Sequence, residues 1–240
     1  VHDLHDAPAG AAVTTQVAIR EALEPRWLET KARVLLDGPI GTWTEPVLLA
    51  GGWYAHLAAG SRPRDLDLFC QGAEHLDRVA ARLRARGATD VEDRPPFYRR
   101  LAWNGQPIDL AYNVWCRSLD EVFARFDLGL SMVGVRWCEG TGVAQVAPLA
   151  LASADAGVVL VNRECPNTAY ALVTIERAHR YADRLALETD QAGLEWLWSR
   201  FEQAPAQEGQ KMIERYRRVG VQDAAVERRA LALLERRGSS

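Results

Sequence analysis

Lysine is almost missing from this sequence. It occurs only at Lys31 and Lys211, so arginine supplies nearly all of the 29 cationic side chains. Against 32 acidic residues the formal net charge is -3. That balance argues against a surface coated in positive charge for nucleic acid, while leaving room for a local basic groove. Cysteine is also sparse. Cys70, Cys116, Cys138 and Cys165 form no C-x-x-C pair and no Cys/His cluster with zinc spacing. Scattered cysteines fit a reducing compartment better than a disulfide framework. A long apolar run is absent too. The longest uncharged stretch, 46–61, holds three glycines and a histidine and makes a poor membrane span. Residues 1–10 carry acids and histidines where a signal peptide carries basic and then apolar residues. These absences lead to the expectation of a soluble, cytoplasmic chain with no membrane partner.

What is present is an ordinary globular composition: 240 residues, 48% hydrophobic and 25% charged. That is enough for one good core, or for a medium domain plus a smaller one. Residues 14–36 read as helical, broken or restarted at Pro25. The apolar run 46–50 stops at Gly51-Gly52 and reads as a buried strand before a tight turn, with a short helix over 53–59. From Asp65 to Leu68 polar and apolar residues alternate with the period of a strand. Leu76, Val79, Ala80 and Leu83 then recur at helical spacing, and Gly87 suits the residue after the helix. Strands are expected over 88–92, 98–103 and 107–114, with Asn104-Gly105 as a hairpin turn between the last two. A helix over 119–125 and a strand over 128–136 follow. From Asn167 or Thr168, a possible cap, the pattern turns helical: to about Leu187, around Leu194, Leu197, Trp198 and Phe201, and over 208–218 and 222–237. The order predicts a mixed α/β (α+β) fold, a mixed sheet with helices on one side followed by a helical region. The corresponding division is 1–160, with an N-terminal helical extension, and 161–240.

Three features in this order carry chemistry. Asp65 and Asp67, two apart on a strand, point to one face while Leu66 and Leu68 point to the other. Two neighbouring carboxylates repel unless a cation or a proton lies between them, and hard oxygen donors suit magnesium. Asp109 lies between Ile108 and Leu110 on another strand, where an aspartate is costly without a partner. Asp109 either shares a metal ion, or sits at a strand end in water or in a salt bridge with one of the many arginines. Gly51-Gly52, after a strand and before a helix, lets a phosphate approach the backbone, or simply makes the turn. None of the three specifies a metal site by itself.

Taken in sequence, strand, Gly51-Gly52, helix, Arg64-Asp-Leu-Asp-Leu strand, helix, hairpin and Ile108-Asp109-Leu110 strand, the pattern resembles the DNA polymerase β superfamily of nucleotidyltransferases. The resemblance covers roughly 46–136. Gly51-Gly-Trp, followed by Arg62 and Arg64, also looks like the branch containing aminoglycoside and lincosamide nucleotidyltransferases. The segment between Gly60 and the aspartates is shorter than in that branch.

The resemblance implies transfer of a nucleoside monophosphate, AMP from ATP by default, to an acceptor hydroxyl or phosphate with release of pyrophosphate. It implies that Asp65, Asp67 and Asp109 are the catalytic residues and hold Mg2+, up to two ions, with Mn2+ able to substitute. Gly51, Gly52, Arg62 and Arg64 would bind nucleoside triphosphate, the last two through charge-assisted contacts. On the helix expected after 168, Arg177 and Tyr181 share a face with Arg180 and Arg184 and would complete the nucleotide site, unless that face is simply solvated. The acceptor, whether RNA, protein or a small molecule, is open. Two competing readings are a D-x-D glycosyltransferase and an inactive nucleotidyltransferase-like binding module. Only 64 residues precede Asp65, too few for the glycosyltransferase's nucleotide-binding half, and a degenerate module normally loses a carboxylate.

Overall fold

Proline and glycine set many of the element boundaries in the computed structural model, which describes residues 9–94, 98–112, 117–219 and 223–238. Helix α1 (Ala9–Ala22) gives way to α2 (Pro25–Leu36), where Pro25 occupies the first turn and costs no hydrogen bond. Strand β1 (Val47–Ala50) runs into the Gly51-Gly52 turn and α3 (Trp53–Ala58). Strand β2 (Leu66–Cys70) leads to α4 (Ala73–Ala85), then to β3 (Thr89–Arg94), β4 (Tyr98–Trp103) and β5 (Gln106–Tyr112). The expected hairpin at Asn104-Gly105 is present, with φ of 48° and 71°. These are the paired positive values of a two-residue turn whose twist matches its strands. The expected strand over 107–114 extends at its end beyond the described residues, as does Cys116.

After α5 (Leu119–Phe123) the chain departs from the sequence pattern. Residues 129–131 form a 3-10 turn, not the start of a strand, and β6 runs over Val133–Cys138. Packing decides this: Gly129 sits so close to Leu149 that a Cβ would lie 2.8 Å from the Leu149 carbonyl oxygen. Two elements that the periodicity did not expose follow, β7 (Thr141–Val146) and α6 (Pro148–Ala156). Glu139-Gly140 supplies the hairpin turn into β7, again with both φ positive. Beyond β8 (Val158–Val159) the long helix α7 starts at Ala171, later than expected. Asn167 and Thr168 enter a 3-10 turn instead, and Asn167 makes no side-chain cap. The two-residue β9 (Glu188–Thr189) pairs with β8. Then come α8 (Gln191–Gln203), capped by Asp190 through the Gly193 amide, α9 (Ala206–Arg218) and α10 (Ala224–Gly238).

The sheet order is β3-β4-β5-β2-β1-β6-β7. Among the described residues of this sheet, only β2 and β5 pair in parallel. Strand β2 is therefore central, and its alternation divides two environments. Leu66, Leu68 and Cys70 join the main core with Leu28, Ala32 and Leu36 of α2 and Leu76, Val79 and Leu83 of α4. Asp65, Asp67 and Phe69 look the other way. On that second face the short α5 covers Leu48 and Ala50 of β1 with Leu119, Val122 and Phe123, and α7 stands across a cleft from the rest. Among the described residues no helix is long and apolar enough to cross a membrane.

Candidate active site

The cleft between the β2 face and α7 has a volume of about 530 Å³. Its sheet side presents Gly51, Gly52, Arg64, Asp65, Asp67 and Phe69, and its helical side presents Tyr170, Glu176, Arg177, Arg180, Tyr181 and Arg184. Carboxylates and arginines thus confront one another across a space the size of a nucleotide.

Asp67 is the most perturbed carboxylate. Burial, then the charges of Asp65 and Asp109, push its pKa up to about 7. Mutual repulsion was the cause expected from the sequence; loss of water proves the larger one. Asp67 and Asp109 are register partners on parallel strands, so their side chains leave the sheet on the same face. Their surroundings differ. Asp109 is 8% exposed, and Arg100 grips both its oxygens: Nε donates to Oδ1 and Nη2 to Oδ2, each at 2.6 Å. The same Nη2 lies 3.6 Å from Asp65 Oδ2. Of the arginines that sequence reasoning offered as partners for Asp109, Arg100 is the one in contact.

The donor set fits a divalent cation in part. Asp65 and Asp67 offer hard oxygens on one face, and the burial and repulsion that make Asp67 costly as an anion would be relieved by a cation. At Asp109 each oxygen already accepts a hydrogen bond from Arg100, so an ion there would lie beside a guanidinium. Among the described residues no three His, Cys, Asp or Glu side chains gather into a set able to share one ion.

The two glycines are needed for different reasons. Gly51 has φ of +104°, which disfavours any side chain. Gly52 has ordinary dihedrals, but a Cβ there would lie 1.9 Å from the Tyr181 hydroxyl oxygen. Its lack of a side chain is what lets α7 dock against the turn. The Gly51 N–H donates to the Val133 carbonyl at 3.1 Å, so it is not offered to a phosphate as the turn motif suggested.

Arg177 is held by Asp127, with Nη1 at 2.8 and 2.9 Å from the two carboxylate oxygens, and Thr174 donates to the same carboxylate. The Asp127 charge, above all, raises the Arg177 pKa, so Arg177 is a fixed cation. Arg180 reaches the buried Glu176 at 3.3 Å. Arg184 donates to His56 Nε2 at 3.1 Å. That bond requires a neutral ring, and burial followed by the Arg184 charge lowers the His56 pKa in agreement. Arg64 lines the cleft, but Arg62 does not. Its Nε donates to Gln106 at 2.7 Å, which turns it toward a separate apolar cleft behind the hairpin.

Sequence reasoning missed Arg100, Asp127, His56 and the aromatic end of the cleft, where Phe69 and Phe126 pack edge to face at 5.8 Å. Arg100 was legible: a two-residue turn at Asn104-Gly105 pairs Trp103 with Gln106 and therefore Arg100 with Asp109. Asp127 had no local signal.

The fold, a mixed sheet followed by helices, is shared with solved structures of nucleotidyltransferases. Among solved structures with this fold are a tRNA nucleotidyltransferase bound to a primer tRNA and an incoming ATP analogue (20% identity, TM-score 0.54, 81% of this chain and 57% of that one), a CCA-adding enzyme with CTP (17%, 0.55, 92% and 53%), and the Thermotoga maritima CCA-adding enzyme with tRNA (18%, 0.52, 92% and 54%). The chain spans a little over half the length of these proteins. No family profile matches it, and neither does any curated protein.

Proposed function

We propose that this chain is a nucleotidyltransferase that moves a nucleoside monophosphate from a nucleoside triphosphate to an acceptor hydroxyl or phosphate. The acceptor oxygen bonds to the α-phosphorus, a hydroxyl acceptor losing its proton to water, the bond from the α-phosphorus to the bridging oxygen breaks, and pyrophosphate leaves. The observation that carries this reading is the paired carboxylate Asp65/Asp67 facing an arginine wall across one cleft. Asp65 and Asp67 would hold magnesium, for which manganese can stand in. The ion supplies charge stabilisation at the reacting phosphate. Arg64, Arg177, Arg180 and Arg184 neutralise the triphosphate, Arg177 already fixed in place by Asp127. Phe69, Phe126 and Tyr170 form an apolar end suited to a base. Tyr181, packed on Gly52, sets the distance between turn and helix wall.

ATP is the default donor. Because two of the structures sharing this fold hold tRNA, an RNA 3′ end is the first acceptor to try, ahead of proteins and small molecules. The test is incubation with each labelled triphosphate and magnesium against such acceptors, with Asp67→Asn as control. Label transfer that survives Asp67→Asn, or no transfer from any triphosphate, would count against the proposal.

A further inference from the structure

Resting on that reading, one feature of the site separates this chain from a symmetrical three-carboxylate centre. Arg100 and Asp109 are directly opposed on antiparallel β4 and β5. Their meeting is set by backbone register and does not depend on a chance side-chain excursion. The guanidinium approaches edge-on through Nε and Nη2, the bidentate geometry in which arginine matches a carboxylate best. At 8% exposure Asp109 has little access to water, so breaking this pair would leave a buried, uncompensated charge. Arg100 also leans toward Asp65 at 3.6 Å, while Asp67, the central carboxylate, faces the cleft.

We infer that Arg100 takes the place of a second metal ion: the site binds one divalent cation, at Asp65 and Asp67, and Asp109 is neutralised from within the chain. The +1 of Arg100 offsets part of the charge of three carboxylates, leaving a net -2 that one divalent ion balances. A second ion at Asp109 would compete with a bidentate pair for the carboxylate and would meet the repulsion of a guanidinium beside it. Asp109 then acts by positioning Arg100, and through it Asp65, without ligating metal.

The experiment counts Mn2+ bound per chain by electron paramagnetic resonance, for wild type, Arg100→Gln and Arg100→Lys, with and without a non-hydrolysable nucleoside triphosphate. Protein without nucleotide should hold one tight Mn2+. Arg100→Gln should gain a second site, or tighten a weak one at least tenfold. Arg100→Lys, which keeps the charge but not the fork, should fall between, and it keeps the test alive if the glutamine variant folds poorly. Two tight ions in wild type, or one in every variant, overturns the inference while leaving nucleotidyl transfer standing. No Mn2+ in any sample, with or without nucleotide, sinks the metal-dependent function itself and the inference with it.

Discussion

Asp67 is the residue whose chemistry is most exposed to test. Its carboxyl titrates near 7 when folded, against 3.8 for a free aspartate. A raised acid binds its proton more tightly in the folded state. Its contribution to stability is therefore fully present below about pH 4 and is lost as the pH rises through 7. Without divalent metal, the melting temperature is expected to fall between pH 5 and pH 8, and Asp67→Asn should flatten that slope. A magnesium ion must displace the same proton, so metal affinity should weaken as the pH drops below 7. Calorimetric melts at several pH values, with EDTA or magnesium, check both statements. An unchanged slope in the asparagine variant would mean that another group sets it. If the proposed ion is bound there, the same variant should lose turnover by orders of magnitude, because the charge stabilisation that it would provide has no substitute in water.

At the scale of elements, the contact of α7 with the turn before α3 is where sheet and helices meet. Gly52→Ala would drive a methyl into the Tyr181 hydroxyl, and overpacking of this kind costs about 1–3 kcal/mol. Tyr181→Phe removes the nearest atom. The two substitutions should be non-additive, with the double variant more stable than the sum of the singles predicts. Urea denaturation of the four proteins measures that coupling; strict additivity would show that α7 does not rest on the turn. A second tie is Asp127 with Arg177 and Thr174. Arg177→Met should cost about 1–3 kcal/mol by stranding a mostly buried carboxylate, and should weaken triphosphate binding beyond that. A stability loss with unaltered nucleotide affinity would reduce Arg177 to a strut.

For the whole molecule, a nucleotide in the cleft would bridge the β2 face and α7, the two sides that line it. Ligand at about 100 times its dissociation constant adds about 2.7 kcal/mol. In a protein of this size that raises the melting temperature by roughly 5–10 °C. Magnesium with ATP should produce such a shift in wild type and much less in Asp67→Asn. A shift of equal size in both would place the nucleotide away from the carboxylates.

The sequence by itself determined the elements that have a short period or a marked turn. The alternation around Asp65 and Asp67, the Gly51-Gly52 stop, the Asn104-Gly105 hairpin and the apolar spacing of α4 and α8 each depend on neighbours within a few residues, so the chain displays them directly. That local information reaches as far as the pairing of Arg100 with Asp109, since hairpin register is counted from its turn. Contacts over long sequence separations decided the rest. The 3-10 turn at 129–131 comes from Gly129 packing on Leu149, and the late start of α7 goes against the capping residues in its sequence. Gly52 is required by Tyr181, 129 positions later, and the Gly51 amide is taken by Val133. Arg62 and Arg64, two residues apart on one segment, face different clefts. Each of these depends on which surfaces meet once the sheet closes, and no periodicity records that meeting.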